Sequence, residues 1–334
     1  MLTAGYDVGG AHLKVALVED GRVAAVRQIA CPLWLGLDRL DAALDGAADL
    51  TARASRHAVT MTAELTEIFA SRRAGVETLV AHLNARLLGE VAFYCGLKGF
   101  CDAKAATANP DLVGSVNFLA TAQAIAHVKP GALLIDMGST TTDIVVCDRP
   151  QGLTDAERLQ TGELVYTGFT RTPVPSVATS APLAGQWQSL ARDAFATMAD
   201  VRRILVALPD GVDEHPTPDG RGKSLEESLF RFARGFGRDA DMRHLATWRV
   251  SAAYIVEQQL RSIHDGALHA MSRPGVDVTC VVVAGIGAAA GEEIGRRLSL
   301  PGVTFGELIG ASDDARDWAT RCAPAVAVAL LNER

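Results

Sequence analysis

The chain has 334 residues, 49% hydrophobic and 21% charged, a balance that supplies a large apolar core and excludes disorder as its main state. Its 32 Lys and Arg against 39 Asp and Glu leave a net charge of −7, and no basic cluster stands ready to neutralise a row of phosphates, so nucleic acid is not an expected partner. The longest apolar stretches, Val278–Ala290 and Ala323–Leu331, are shorter than the roughly 20 residues of a bilayer span, and MLTAGYDVGG contains neither a basic nor an apolar leader region; a cytoplasmic protein with no membrane partner is expected.

At roughly 150 residues per domain the length predicts about two domains. In chain order, strands are predicted at Ala4–Val8 and Leu13–Val18, a helix at Leu37–Leu50, a strand at Ala58–Thr62, a helix at Val76–Leu88 and a strand at Val91–Tyr94. A helix at Val113–His127 precedes strands at Ala132–Asp136 and Thr142–Cys147. The pattern then weakens between Arg149 and Gly222, where TRTPVPSVATSAP and PDGVDEHPTPDGRGKS read as long functional loops or a lid, around one helical stretch at Leu190–Leu208. Helices at Leu225–Phe236 and Met242–Met271, a strand at Val278–Ala284, and helices at Gly291–Leu298 and Ala315–Asn332, kinked at Pro324, complete an α/β chain. The six cysteines form no CxxC pair and fall mostly in apolar runs, so neither a structural zinc nor a disulfide framework is expected.

One repeat organises these elements. AGYDVGGAHLKVALVEDG and LLIDMGSTTTDIVVCDRP align at a fixed offset of 129 residues, Asp7 with Asp136, Gly9 with Gly138 and Gly10 with Ser139. Each reads as a strand ending in Asp, a two-residue turn, and a second strand: a β-hairpin with a glycine tip, occurring twice. Positive φ at Gly9 and Gly138 would let the N–H groups of Gly10, Ala11 and His12, or of Ser139, Thr140 and Thr141, face an anion. Lys14 adds a compact charge suited to phosphate. Asp7 and Asp136 oppose phosphate but suit a divalent cation such as Mg²⁺. A lone tip of this kind is usually an ordinary turn; the matched pair reads as a clamp for a metal–diphosphate group. A third element, VTCVVVAGIGAAAGEEI, runs through Gly285-x-Gly287 into a helix, either a nucleotide or anion seat or a close helix packing.

Asp7–Lys14, Asp136–Asp143 and Gly285–Gly287, in that order, resemble the signatures of the actin/Hsp70/sugar-kinase superfamily, and DVGGAHLK, VTMTAELTEIF, IDMGSTTTDIVV, RLQTGELVYTGFTRTPV, FATMADVRRIL and PTPDGRGKS resemble its hydantoinase/oxoprolinase-related branch, specifically the methanofuran-biosynthesis synthase family that joins a furan to a phenol. The likeness runs from Asp7 to about Gly287. It implies two duplicated, ribonuclease H-like α/β lobes around a cleft, and a place in methanofuran or methylofuran biosynthesis within tetrahydromethanopterin-linked one-carbon metabolism. The implied reaction is attack by a tyramine- or tyrosine-type phenol on an aminomethylfuran-methyl diphosphate, with ATP possible but not required. Sugar kinases of the superfamily commonly open the helix before the second loop with an Asn-Asp pair whose Asp is the base. Here Asn117 is followed by Phe118; a phenol, with a pKa of about 10, needs less help from a base than a sugar hydroxyl.

Other candidates carry two readings each. Glu64 either assists the phenol or is a first-turn helix Glu. Arg171 and Thr172, with Asp219, Arg221 and Lys223, either close over the substrate or are solvated loop groups. Tyr166 either stacks on an aromatic ring or packs in the core. His12 is a candidate phosphate contact. The expected division is residues 1–129 plus 312–334 against 130–311, with a homo-oligomer possible. The rival functions are an ATP-dependent small-molecule kinase or a hydantoinase/oxoprolinase-like amide hydrolase, and a non-catalytic nucleotide-sensing scaffold.

Overall fold

The computed structural model describes residues 2–334; Met1, which opens the first expected lobe, lies outside the described residues. The first sheet contains β1 (Leu2–Val8), β2 (His12–Glu19), β3 (Arg22–Ala30), β4 (Arg56–Met61), β5 (Glu90–Tyr94) and β6 (Phe100–Cys101) in the order β3-β2-β1-β4-β5-β6. The second contains β7 (Ala132–Met137), β8 (Thr142–Val146) and β9 (Leu164–Val165); after a separate hairpin of β10 (Ser180–Leu183) and β11 (Gln186–Ser189) it is completed by β12 (Cys280–Ala284) and β13 (Gly302–Thr304), in the order β13-β12-β7-β8-β9. In both sheets an antiparallel hairpin is followed across the sheet by a parallel strand: β2-β1-β4 in one, β8-β7-β12 in the other. The repeat is therefore one of topology as well as of sequence.

Strand alternation decides which side chains meet. Along β1 and β2, Ala4, Tyr6, Val8, Leu13, Val15 and Leu17 face an outer apolar layer with helix Arg72–Arg86. Ala16 and Val18 face the opposite way, into a layer shared with Leu134, Val145 and Val282 of the second sheet. Helices Asn117–Val128 and Ala323–Asn332 fill that middle layer. Gly5 lets the second of these lie directly on β1, since a Cβ there would overlap the Ala325 carbonyl.

Several expectations need correction. Strand β3 was not expected. The final helical pattern is two helices, Asp313–Arg321 and Ala323–Asn332, separated at Cys322, because a proline near a helix start has no N–H to miss. The stretch expected as a helix over Leu190–Leu208 keeps only Met198–Ile204. Residues 209–222 form the expected loop, but the stretch 155–204 is not a loose lid: β10, β11 and helix Met198–Ile204 pack with helices Leu225–Arg234 and Leu245–Met271 around Leu183, Met198, Phe232, Trp248 and Ile255. Its Pro and Ser punctuation marks short elements, not absence of structure. Cys95 and Cys101 are joined as a disulfide, whereas Cys31, Cys147, Cys280 and Cys322 are free and buried.

Candidate functional site

Both hairpin tips line a single cleft of about 820 Å³. They share the same closing bond at the same offset: Gly9 N–H donates to the His12 carbonyl (3.0 Å) and Gly138 N–H to the Thr141 carbonyl (2.9 Å). Each tip is longer than the expected two residues, Gly9 to Ala11 in one and Gly138 to Thr141 in the other. Neither Gly9 nor Gly138 has positive φ; the left-handed conformation expected of them is corrected, and their freedom is not what shapes the tips. At Gly9 the constraint is space, a Cβ there coming within 3.0 Å of the His12 carbonyl oxygen.

Alternation aims four charged groups at the middle of the molecule. Asp7 is paired across β1 and β2 with Lys14, and Asp136 across β7 and β8 with Asp143, and all four line the cleft. Lys14 Nζ is 3.2 Å from Asp7 Oδ2, while Asp7 Oδ1 is buried without a hydrogen-bond partner among the described residues. Burial works against the Lys14 ammonium, but Asp7, with Cys322 and Asp136 nearby, outweighs it and pushes the pKa up. Asp136 is pushed up to about 7 by burial and then by Asp143, with Lys14 opposing and Asp7 adding to the rise. The second tip is thus a carboxylate pair short of positive charge, although Arg158 bonds Asp143.

The walls are held from behind. Phe169 N–H donates to the Gly138 carbonyl (2.8 Å) and Arg171 N–H to that of Ser139 (2.9 Å), so segment 167–172 lies along the second tip. Gly168 is needed there because a Cβ would collide with Ser139 and Thr140. Gln259 Nε2 donates to Thr167 Oγ1 (2.7 Å) and the Gly168 carbonyl (2.8 Å), and Arg202 Nη2 donates to Gln259 Oε1 (2.8 Å). Gly285, at φ +80°, presses against Asp136, whose Oδ1 would be 2.5 Å from a Cβ at this position.

The structure brings Gly9, Gly10, Ala11, His12, Asn117, Gly138, Ser139, Thr140, Thr141, Arg171 and Gly285 to the same cleft as the four charges. Others go elsewhere. Glu64 is fully buried behind the wall, where Ser115 Oγ, itself on the cleft, donates to its Oε1 at 2.6 Å and Arg72 is 3.5 Å away; burial raises its pKa. Thr172 is buried, its Oγ1 accepting from Gly168 N–H at 2.7 Å. Lys223 donates to the Asp213 carbonyl (2.6 Å), and Asp219 accepts from the buried Arg231 (3.1 Å), so these groups brace the 213–223 loop instead of reaching the cleft. Arg221 contributes backbone bonds to the same turn. Gly287 packs on Met137. Tyr166 is 68% exposed on the cleft wall, which corrects core packing as its fate.

Sequence reasoning missed Asp143, Arg158, Ser115 and Trp34. The repeat held the signal for the first, since Asp143 occupies the position of Lys14 at the common offset. Arg158 is buried with its guanidinium 3.5 Å from the Phe118 ring centre, a contact no local pattern announces. Burial, then His215, Lys14 and Arg171, lower the His12 pKa to about 3, so its 3.0 Å approach to Glu214 is not an ion pair near neutral pH.

The hydantoinase/oxoprolinase family model matches residues 55–305. The (4-{4-[2-(gamma-L-glutamylamino)ethyl]phenoxymethyl}furan-2-yl)methanamine synthase of Methanocaldococcus jannaschii is 32% identical over 246 residues, 72% of this chain and 73% of that protein. The protein of the same name from Methanococcus vannielii is 31% identical over 111 residues, 32% of this chain and 50% of its own. Among solved structures, a ROK family glucokinase from Streptomyces griseus in complex with glucose and AMPPNP aligns at a TM-score of 0.47 and 15% identity, over 98% of both chains. The activator of the 2-hydroxyisocaproyl-CoA dehydratase from Clostridium difficile with bound ADPNP aligns at 0.45 and 11%, over 100% of this chain and 95% of that one. With two duplicated sheets around one cleft and a family match across most of its length, the chain belongs to the hydantoinase/oxoprolinase family, alongside the furan–phenol synthases of methanofuran biosynthesis.

Proposed function

We propose that the protein is a transferase of methanofuran-type biosynthesis that makes an aryl ether: a phenol oxygen attacks the methylene of an aminomethylfuran-methyl diphosphate, the carbon–oxygen bond to diphosphate breaks, and the phenol proton is lost. The observation that carries this reading is the convergence of both tips on one cleft, with Lys14 and three carboxylates at its base. The N–H groups of Gly10, Ala11, Ser139 and Thr140 donate no hydrogen bond within the described residues. They are available to phosphate oxygens, whose charge grows as the leaving group departs, and fixed donors of this kind make a large contribution to catalysis. Lys14 neutralises part of the same charge.

A divalent cation such as Mg²⁺ fits the donor set. Among the described residues no group of three or more His, Cys, Asp or Glu is arranged to hold a metal alone, but Asp7 offers an unpartnered buried oxygen and Asp136 is an acid for which Lys14 and Arg158 do not offset burial and Asp143. Asp7 and Asp136 would hold the ion, with diphosphate oxygens filling other positions, and its charge would favour diphosphate departure. On this reading Ser115, bonded to Glu64, is the route by which a buried carboxylate reaches the phenol proton. ATP is not consumed.

Gly285 and Ile286 on the cleft wall favour a second reading, an ATP-dependent kinase or amide hydrolase. The test is incubation of the purified protein with the furan diphosphate, a tyramine- or tyrosine-type phenol and Mg²⁺. Diphosphate and ether appearing together is the expected result; ATP hydrolysis that depends on a second substrate, with no ether, selects the rival.

A further inference from the structure

A second cavity of about 210 Å³ adjoins the cleft, and Trp34 and Arg171 line both. Its other walls come from Thr170, from the start of helix Met198–Ile204 and from the 213–218 loop with His215. The acids there are already committed. Asp200 accepts from Arg231 at 2.8 Å with Arg203 at 3.6 Å, and Asp213 is bonded by Arg203 with Lys223 at 3.6 Å. Arg171 is different: its guanidinium makes no ion pair or hydrogen bond with the described residues and lies 5.9 Å from the Trp34 ring centre. Thr170 is 1% exposed, yet its Oγ1 has no partner among the described residues, and neither has His215 Nε2. Burial, then Arg171, lower the His215 pKa to about 4, with Asp213 opposing and Lys223 adding to the effect, so near neutral pH that ring does not repel a cation or attract an anion by charge. One uncommitted cation remains, with two orphaned polar atoms close by.

An unpaired guanidinium beside a buried hydroxyl is matched by a carboxylate, which can take both charge and hydrogen bond. The edge-to-face His12 and His215 rings, 4.7 Å apart, and Trp34, 6.0 Å from His215, give an aromatic surface at the junction with the cleft. We propose that this side cavity is the acceptor subsite, in which Trp34 and the two histidines seat an aromatic ring while Arg171 and Thr170 hold a carboxylate on the tail of the same molecule. The assignment rests on the transferase reading for what the acceptor does, but not for whether it binds.

The test is calorimetry on the full chain with two probes of equal length, 3-(4-hydroxyphenyl)propanoate and its carboxamide. A charge-assisted bond to Arg171 makes the carboxylate bind about tenfold tighter. Arg171→Gln brings the ratio close to one, Arg171→Lys restores part of it, and Thr170→Val weakens only the carboxylate, each variant being checked for wild-type melting. Equal affinities in the wild type, a ratio unmoved by Arg171→Gln, or no binding of either phenol would overturn the assignment. Carboxylate-selective binding without diphosphate release from the furan substrate would leave the subsite standing and remove the transferase reading instead.

Discussion

The two hairpin tips share a strand pairing, a closing bond and an offset, yet they carry opposite electrostatics. In the first, Lys14 faces Asp7 and the pair is balanced; in the second, the equivalent pair is Asp143 and Asp136, and Asp136 is held up near 7. Duplication supplied two identical frames, and a single cross-strand position made one suited to an anion and the other to a cation. A clamp for a metal–diphosphate needs both.

The sharpest way to break this comparison is to neutralise one side. Asp136→Asn and Asp7→Asn should each lower diphosphate release by about 100-fold or more, the scale of losing a preorganised electrostatic contact, and wild-type rates in either variant would remove both tips from the chemistry. Lys14→Met should cost about 10- to 100-fold, mainly as a raised KM for the diphosphate substrate; a change confined to the phenol KM would contradict the assignment of the first tip. Ser115→Ala should cost about tenfold or more and shift the acid limb of the pH–rate profile, since proton transfer through a positioned group is worth at least that much. An unmoved profile would restrict Glu64 to a structural role.

The smallest expected effect is on stability. Asp136 moves from an ordinary 3.8 to about 7 on folding, so the native state binds a proton that the unfolded chain has released. Stability from this group is complete below 3.8 and is lost as the pH rises through about 7. In the absence of divalent cations, Asp136→Asn should therefore melt progressively higher relative to wild type as the pH increases, and Mg²⁺ should narrow the difference; parallel melting curves across that range would show that Asp136 is already compensated.

Legibility in the sequence followed the range of the forces involved. The hairpins, the long helix and the buried strand β12 could be read because periodicity and glycine punctuation are local signals. Strand β3, with three charged or amide residues in RVAAVRQIA, was lost because one exposed face breaks the apolar pattern. The loop over 209–222 was legible, but the stretch before it was misread because its strands are four residues or fewer and its core is completed by Phe232, Trp248 and Ile255, which lie far along the chain. At the site, the tips were visible, but Thr172 and Lys223 were drawn toward the substrate by residue type when their side chains bond Gly168 and Asp213, and Glu64 meets the cleft only through Ser115, a partner 51 residues along the chain.

By itself the sequence determined that there are two copies of one hairpin, because an Asp–Gly pair at strand ends repeats at a constant spacing and that spacing is a property of the chain alone. Only the tertiary structure decided that the copies face each other, since the middle layer of Ala, Val and Leu from both sheets, closed by helix Ala323–Asn332, must pack before Asp7 and Asp136 share a cleft. Proximity across more than a hundred residues is bought by that burial, and no local preference encodes it.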